Sequence, residues 1–418
     1  MSKLTDLLKN KFESSKDPRM KKEARTLYSY ESGLDILDYK NGKKIIVNDK
    51  DSYDSLGFDE GTYVMIIGDP GTAKTTLAIQ MGENIVDKYE NSQMFLLDPE
   101  TATNESRVKS LTKWNRKTME EKFIHKDEDI THELFYELIK SIADVKKEHR
   151  EDIEIVTDRL NSKGNKITML PPTVVILDSL ALLIPDKMSE EEKMSGQMSQ
   201  TAIAKNNAQI FRRIMKELKV GNIILFVINH ITENVNINPM VPKKAKVNYL
   251  KQDESIPGGR TSIYLAKNII KLETSSKLTS DKEFGFDGFV SKATFIKSRT
   301  NKGGQIFEMI YNQNEGFSNV LSNYHNLKQL GHVKGAGRGF YLENCPEVKF
   351  SQKDFLNKYK DNKELRIAMK KLVKTEYSKF ILEDDFETSN KDDNENKTSK
   401  SKKKNKDKEK VSKKKKKK

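Results

Sequence analysis

Tyr63-Val64-Met65-Ile66-Ile67-Gly68-Asp69-Pro70-Gly71-Thr72-Ala73-Lys74-Thr75-Thr76 is the run on which the reading of this chain turns. Its five leading apolar residues make a strand buried on both faces. A loop over 68–73 follows, and the pattern beyond it predicts a helix from Lys74 to about Lys88. Strand, glycine-containing loop and Lys-Thr-Thr at a helix start form a P-loop context, in which backbone N–H groups and the helix N-terminus cradle phosphates. Lys74 then reaches the β- and γ-phosphates and the Thr75 hydroxyl faces Mg²⁺, so the expected ligands are ATP and Mg²⁺. Ala73 stands where a glycine usually precedes the lysine, and alanine suits that place if its φ stays negative.

Three more buried strands are expected at 93–97, 173–177 and 222–228. Strands separated by helical stretches imply an α/β fold, a doubly wound and mainly parallel sheet. Two acids fall at its carboxyl edge. Asp178 ends the apolar run from Val174 and can hold Mg²⁺ through water. Glu100 closes Leu97-Asp98-Pro99-Glu100, where a glutamate can orient and polarise an attacking water; without further context it reads equally as an exposed loop acid. Residues 105–171 read as a polar, charged, helical insertion. Residues 268–273, 288–296 and 305–311 read as a meander of strands. A small basic C-terminal α/β module spans 319–382, with a helix around 365–373. Near the start, Leu4, Leu7, Leu8 and Phe12 share one helical stripe, which needs a surface of its own domain or of a neighbouring subunit. The expected division is a helical segment 1–30, a core 31–318, the module 319–382 and a tail 383–418.

The 418 residues carry a net charge of +14. Twelve lysines against Asp407 and Glu409 fill 401–418, and eight Lys/Arg against four acids fill 1–30, leaving 31–400 near neutral. After Phe386 an acidic Asn/Asp/Glu stretch gives way to lysines, with Val411 the only large apolar residue. Such a tail cannot bury enough surface to order itself and is expected to be disordered. It reads equally as a solvated appendage and as a polyanion grip or targeting signal. A single cysteine, Cys345, excludes an internal disulfide framework and a thiolate-ligated zinc. No apolar stretch approaches the roughly 20 residues that cross a bilayer. The start also lacks the apolar core of a signal peptide. The expectation is a soluble, cytoplasmic protein without a membrane partner.

Further motifs follow in a fixed order. They are Asp98-Pro99-Glu100, Val175-Ile176-Leu177-Asp178-Ser179-Leu180, Ile228-Asn229-His230, Gly258-Gly259 and Phe295-Ile296-Lys297-Ser298-Arg299-Thr300. Later come Leu330-Gly331-His332-Val333 and Gly339-Phe340-Tyr341. In order and flanks the chain resembles the RecA/Rad51-type recombinases, most of all their UvsX-like phage branch, from about 34 to 372 and weakly in the insertion. The resemblance implies a RecA-like ATPase core. Gly68, Asp69, Pro70, Gly71, Thr72 and Ala73 would wrap the phosphates, with Lys74, Thr75 and Thr76 on phosphate and Mg²⁺ and Asp178 completing the metal site. The phage branch also lacks the glycine before the lysine. Glu100 resembles the catalytic glutamate, and His230 the residue that senses the γ-phosphate. Lys297 and Arg299 resemble the basic pair that crosses a filament interface to the neighbour's ATP, tying hydrolysis to assembly. Residues 185–199 and 232–261 stand where the two DNA-binding loops belong. The second carries Lys243, Lys244, Lys246 and Lys251 before Gly258, Gly259 and Arg260, a composition that suits backbone contact with a single strand. The first is not basic, with Glu190, Glu191 and Glu192 consecutive. Arg107 stands where that family has an aromatic near the adenine, and the lysine tail replaces an acidic one. Taken without the family, His230 also reads as a locally satisfied strand-end histidine, Lys297 and Arg299 as a solvated edge, and both loops as ordinary mobile loops.

The activity implied is that of an ATP-dependent recombinase. It would form filaments on single-stranded DNA and promote homologous pairing and strand exchange in recombination, repair and replication, with single-stranded DNA stimulating its ATPase. The partners implied are single- and double-stranded DNA, further copies in a helical filament, and single-strand-binding and mediator proteins. Two other readings share the motifs: a RecA-fold hexameric replicative helicase, which would close into rings, and an accessory protein that binds ATP and DNA but turns over little.

Overall fold

The computed structural model describes residues 28–46, 52–127, 130–160, 165–183, 185, 196–233, 247–282 and 284–382. Among the described residues nine strands form the central sheet. They are β1 (Tyr63–Gly68), β2 (Gln93–Leu97), β3 (Phe123–Lys126), β4 (Thr173–Asp178), β5 (Ile223–His230), β6 (Asn268–Leu278), β7 (Gly288–Ser298), β8 (Ile306–Asn312) and β9 (Gly316–Ser318). Their spatial order is β9-β8-β7-β6-β1-β5-β4-β2-β3. Pairing is parallel from β6 across to β3. It is antiparallel from β6 out to β9, the expected meander. The fold is therefore mixed α/β around a mostly parallel sheet.

Every residue of β1 and β4 is buried, because helices cover both faces. On one face Val64 and Ile66 meet Leu77, Met81 and Ile85 of α1 (Lys74–Val86). On the other, Tyr63, Met65 and Ile67 meet the second apolar cluster. Its helices are α4 (His132–Glu148), bringing Phe135 and Ile139, and α5 (Gly196–Val220), bringing Phe211, Ile214 and Leu218. Alternate strand residues thus feed two cores, which is why these strands read as unbroken apolar runs. Each large side chain so buried contributes about 1.5–3 kcal/mol before entropy is counted.

The insertion differs from its expected helical character. Helices α2 (Glu105–Thr112), α3 (Arg116–Lys122) and α4 are present. Between α3 and α4, however, β3 extends the central sheet in parallel with β2, and after α4 Ile155–Leu160 pairs with Lys166–Met169 as a hairpin. Neither strand shows an apolar run: in β3 Phe123 is buried while Ile124 is exposed, so four residues carry too little periodicity to be read.

Beyond the sheet come α7 (Asn319–Gln329), a three-stranded sheet (Val333–Lys334, Phe340–Leu342, Cys345–Phe350), α8 (Phe355–Asp361) and α9 (Lys363–Tyr377). Between α2 and α7 in sequence order also lies the short helix α6 (Arg260–Leu265). Tyr324, Phe350 and Phe355 stack with Tyr324–Phe355 and Phe350–Phe355 centroids 4.4 and 4.9 Å apart, inside the apolar cluster that also holds α1. The expected N-terminal helix with Leu4, Leu7, Leu8 and Phe12, and the tail 383–418, lie outside the described residues. Among the described residues no helix is long and apolar enough to cross a membrane.

Strand register sets the candidate site. Gly68 pairs with His230 on one side and Leu272 on the other, while Asp178 pairs with Ile228. The loops after β1, β2, β4 and β5 therefore open at one carboxyl edge, where open α/β sheets bind ligands.

Candidate nucleotide site

The chain leaves β1 through a loop with no room for a side chain at its first position: a Cβ on Gly68 would lie 2.5 Å from the Leu272 carbonyl oxygen. The loop is closed from within. Thr72 Oγ1 donates to the Asp69 carbonyl at 2.8 Å, and Lys74 Nζ donates to the carbonyls of Gly68 and Asp69 at 2.9 and 2.8 Å. Lys74 is 6% exposed, and burial lowers its pKa against the opposing pull of Asp178, Glu100 and Asp69.

Ala73 departs from expectation. Its φ is 62°, left-handed, where a negative value was anticipated. The helix starts at the next residue and the loop must turn sharply into it, so the position keeps the geometry a glycine would supply and carries the Cβ penalty, about 1–2 kcal/mol. No side chain caps the first turn of α1, which leaves its N–H groups free for an anion.

Two acids converge on this turn. Thr75 Oγ1 donates to Asp178 Oδ2. Burial pushes the Asp178 carboxyl up to about 6, against the Thr75 hydrogen bond and with help from Glu100 and Asp98. Glu100 Oε1 accepts from Ser179 Oγ at 2.6 Å and from His230 Nε2 at 3.0 Å. Burial alone would raise Glu100, but the Ser179 and His230 hydrogen bonds outweigh it and the net shift is downward. Neighbouring carboxyls with oppositely shifted pKa values suit different tasks: Glu100 stays ionised, and Asp178 gains from a nearby cation. The oxygen pair Thr75–Asp178 fits Mg²⁺, which takes one or two protein oxygens and fills its shell with phosphate and water. Among the described residues no group of three or more His, Cys, Asp or Glu is placed to hold a metal by itself.

The loop carrying Glu100 is fixed by Asp98, which is fully buried and accepts the Thr103 N–H at 2.8 Å. Ser179 and Asn229 stand in the sequence only as parts of the Asp178 and His230 motifs, with no role assigned; the structure bonds Ser179 to Glu100 and Asn229 to the His230 backbone.

Arg107 is drawn aside. Its guanidinium donates to the Asn314 carbonyl at 3.1 Å and to the Tyr311 hydroxyl at 3.3 Å, which pins α2 to the β8–β9 turn. Tyr311, on β8 and stacked on Phe289 at 4.5 Å, is an aromatic beside the arginine.

Lys297 and Arg299 do not join the cluster within the chain. Lys297 Nζ donates to the carbonyls of Ile263, Tyr264 and Ala266 at 2.8, 2.7 and 2.6 Å, and Arg299 Nη2 to that of Tyr264 at 2.7 Å. They cap the C-terminus of α6, a place that favours cations. Burial, then Arg299, lowers Lys297 to about 8. Lys297 pairs with Ile269, three residues before the Leu272 that faces Gly68, about 10 Å along the strand.

Of the expected first DNA loop, Gly196 to Ser199 already belong to α5, since polar residues there continue the helix; 186–195 lie outside the described residues. The second loop begins and ends as a strand pair, Thr232–Glu233 with Glu254–Ser255. Lys243, Lys244 and Lys246 lie outside the described residues. Lys251 faces Glu254 and Glu273 at 3.6 and 3.4 Å. Glu254 in turn meets buried Lys271 at 2.7 Å, anchoring the loop to the strand beside β1. Gly258 and Gly259 both have positive φ, 91° and 88°, and exposed Arg260 opens α6. Set against protein-family models and against curated proteins, the chain matches none.

Proposed function

We propose that this chain is an ATP-dependent recombinase of the RecA type, binding single-stranded DNA as a filament and promoting homologous pairing and strand exchange. The observation that carries the reading is the convergence of Lys74, Thr75, Asp178, Glu100 and His230 on one sheet edge, with His230 bonded to Glu100 at 3.0 Å. In this reading the loop N–H groups and Lys74 bind the phosphates. Mg²⁺, held through Thr75 and Asp178, supplies charge neutralisation on the phosphate oxygens. Glu100, kept ionised and aimed by Ser179 and His230, orients the water for attack on the γ-phosphoryl group. His230 sits between that glutamate and the second loop, so nucleotide state and DNA contact share one residue. Lys297 and Arg299 belong to a neighbouring copy's site in this scheme.

Electron microscopy of the full chain with single-stranded DNA and a non-hydrolysable ATP analogue tests the proposal. Continuous helical filaments are expected. Closed six-membered rings without filaments would refute it in favour of a replicative helicase.

A further inference from the structure

One fully buried side chain ties the second glycine loop to the sheet edge. Asn229, 0% exposed, is the penultimate residue of β5, just before His230. Its Oδ1 accepts the His230 backbone N–H at 3.0 Å, and its Nδ2 donates to the Pro257 carbonyl at 2.9 Å. One end of the carboxamide is thus held by the residue that grips Glu100, the other by the residue preceding Gly258. The turn it reaches has little freedom. A Cβ on Gly258 would lie 2.8 Å from Leu180 Cδ2, and Leu180 directly follows Ser179, the other donor to Glu100. From α5, Asn207 Nδ2 donates to the Gly258 carbonyl at 3.3 Å while its Oδ1 accepts from His132 Nε2 at 2.6 Å. Pro257-Gly258 therefore has two amide anchors, and only the Asn229 anchor is bonded to His230.

We propose that Asn229 is a positioning residue that couples nucleotide at Lys74 to DNA at Gly258–Arg260, by transmitting the placement of His230 to the Pro257 carbonyl. The inference rests on the recombinase reading above. A planar amide bonded at both ends moves as a unit, so a displacement of the His230 backbone carries Pro257 with it. Asn207, on α5 and bonded to His132 of α4, holds the same turn without reporting on Glu100.

The test measures affinity for a labelled oligothymidylate by anisotropy, with and without a non-hydrolysable ATP analogue; the ratio is the coupling factor. Affinity for a fluorescent ATP analogue without DNA is measured separately. Asn229→Leu removes both hydrogen bonds at similar volume. Asn229→Asp keeps the acceptor for His230 and removes the amide donor to Pro257. Both are expected to cut the coupling factor about fivefold or more, while nucleotide affinity without DNA shifts less than about threefold. Asn207→Leu is expected to keep the factor within about twofold. A purely structural role would lower melting temperature and leave the ratio unchanged. The proposal is overturned if a folded Asn229 variant keeps the wild-type ratio, or if Asn207→Leu loses as much. Should Asn229→Leu not fold, Asn229→Asp decides alone. A wild-type chain whose DNA binding ignores nucleotide overturns the recombinase reading and this inference together, whereas coupling that survives in both Asn229 variants overturns only the inference.

Discussion

Lys146 offers a measurable consequence of burying an amine without a counter-charge. It lies on α4, is 6% exposed, and donates from Nζ to the carbonyls of Pro171 and Gly221 at 2.6 and 3.0 Å. These carbonyls stand just before β4 and β5, the strands that end in Asp178 and His230. Burial alone lowers the amine from 10.5 to about 7. Because the folded pKa lies below the unfolded one, the unfolded chain holds an extra proton between about pH 7 and 10.5, and stability contributed by this group rises with pH across that window. Below about pH 7 both states are protonated and the folded state carries the full cost of the buried ammonium, about 5 kcal/mol. Lys146→Met removes this titration. At about pH 6 it sheds the charge but leaves two carbonyls without a partner, about 1–3 kcal/mol each, so the effects nearly offset. As pH rises, the wild type should gain on the variant by about 1.4 kcal/mol per pH unit, about 4 kcal/mol between pH 7 and 10. Urea unfolding of both proteins at one-unit pH intervals reads this difference directly, and other titrating groups cancel. Parallel stability curves would refute the reasoning.

Four further outcomes are expected. Ala73→Gly relieves the left-handed strain of about 1–2 kcal/mol and loses about 0.5–1 kcal/mol to glycine flexibility; thermal unfolding should show a small gain, and a loss would contradict the strain. Glu100→Gln should abolish ATP turnover while nucleotide affinity is retained, and normal ATPase activity would remove Glu100 from the chemistry. Lys271→Met leaves Glu254 buried against one exposed lysine and should cost about 3 kcal/mol in urea unfolding, partly recovered by adding Glu254→Gln. Deleting residues 401–418 should weaken nonspecific DNA binding and flatten its dependence on salt; an unchanged slope would show that the tail does not grip DNA.

The edge carrying the candidate site was legible because its signals are local. A buried strand, a loop and Lys-Thr-Thr occupy fourteen consecutive residues, and Asp178 directly ends an apolar run. Strand limits expected at 93–97 match β2, and those of β4 and β5 differ only at their ends. What stayed hidden was non-local. The register that sets His230 beside Gly68 joins residues 162 positions apart. Lys297 caps a helix more than thirty residues earlier, which no spacing in the sequence announces. The edge strand β3 was unreadable for a different reason, since an outer strand covered on one side needs few apolar residues. The φ of Ala73 could not be foreseen from composition, because only the turn's geometry requires it.

The Asp69 carbonyl gathers the Thr72 N–H, the Thr72 hydroxyl and the Lys74 ammonium at 3.4, 2.8 and 2.8 Å. The curvature of the loop is thereby stored in the polypeptide itself. In the proposed nucleotide site, an arriving phosphate would not have to organise the backbone and would only exchange partners with an ammonium that is already in position. Such preorganisation shifts affinity from ordering entropy to a contest between acceptors. Thr72, whose hydroxyl and N–H both donate to the Asp69 carbonyl, would then hold the shape of the cradle between occupants.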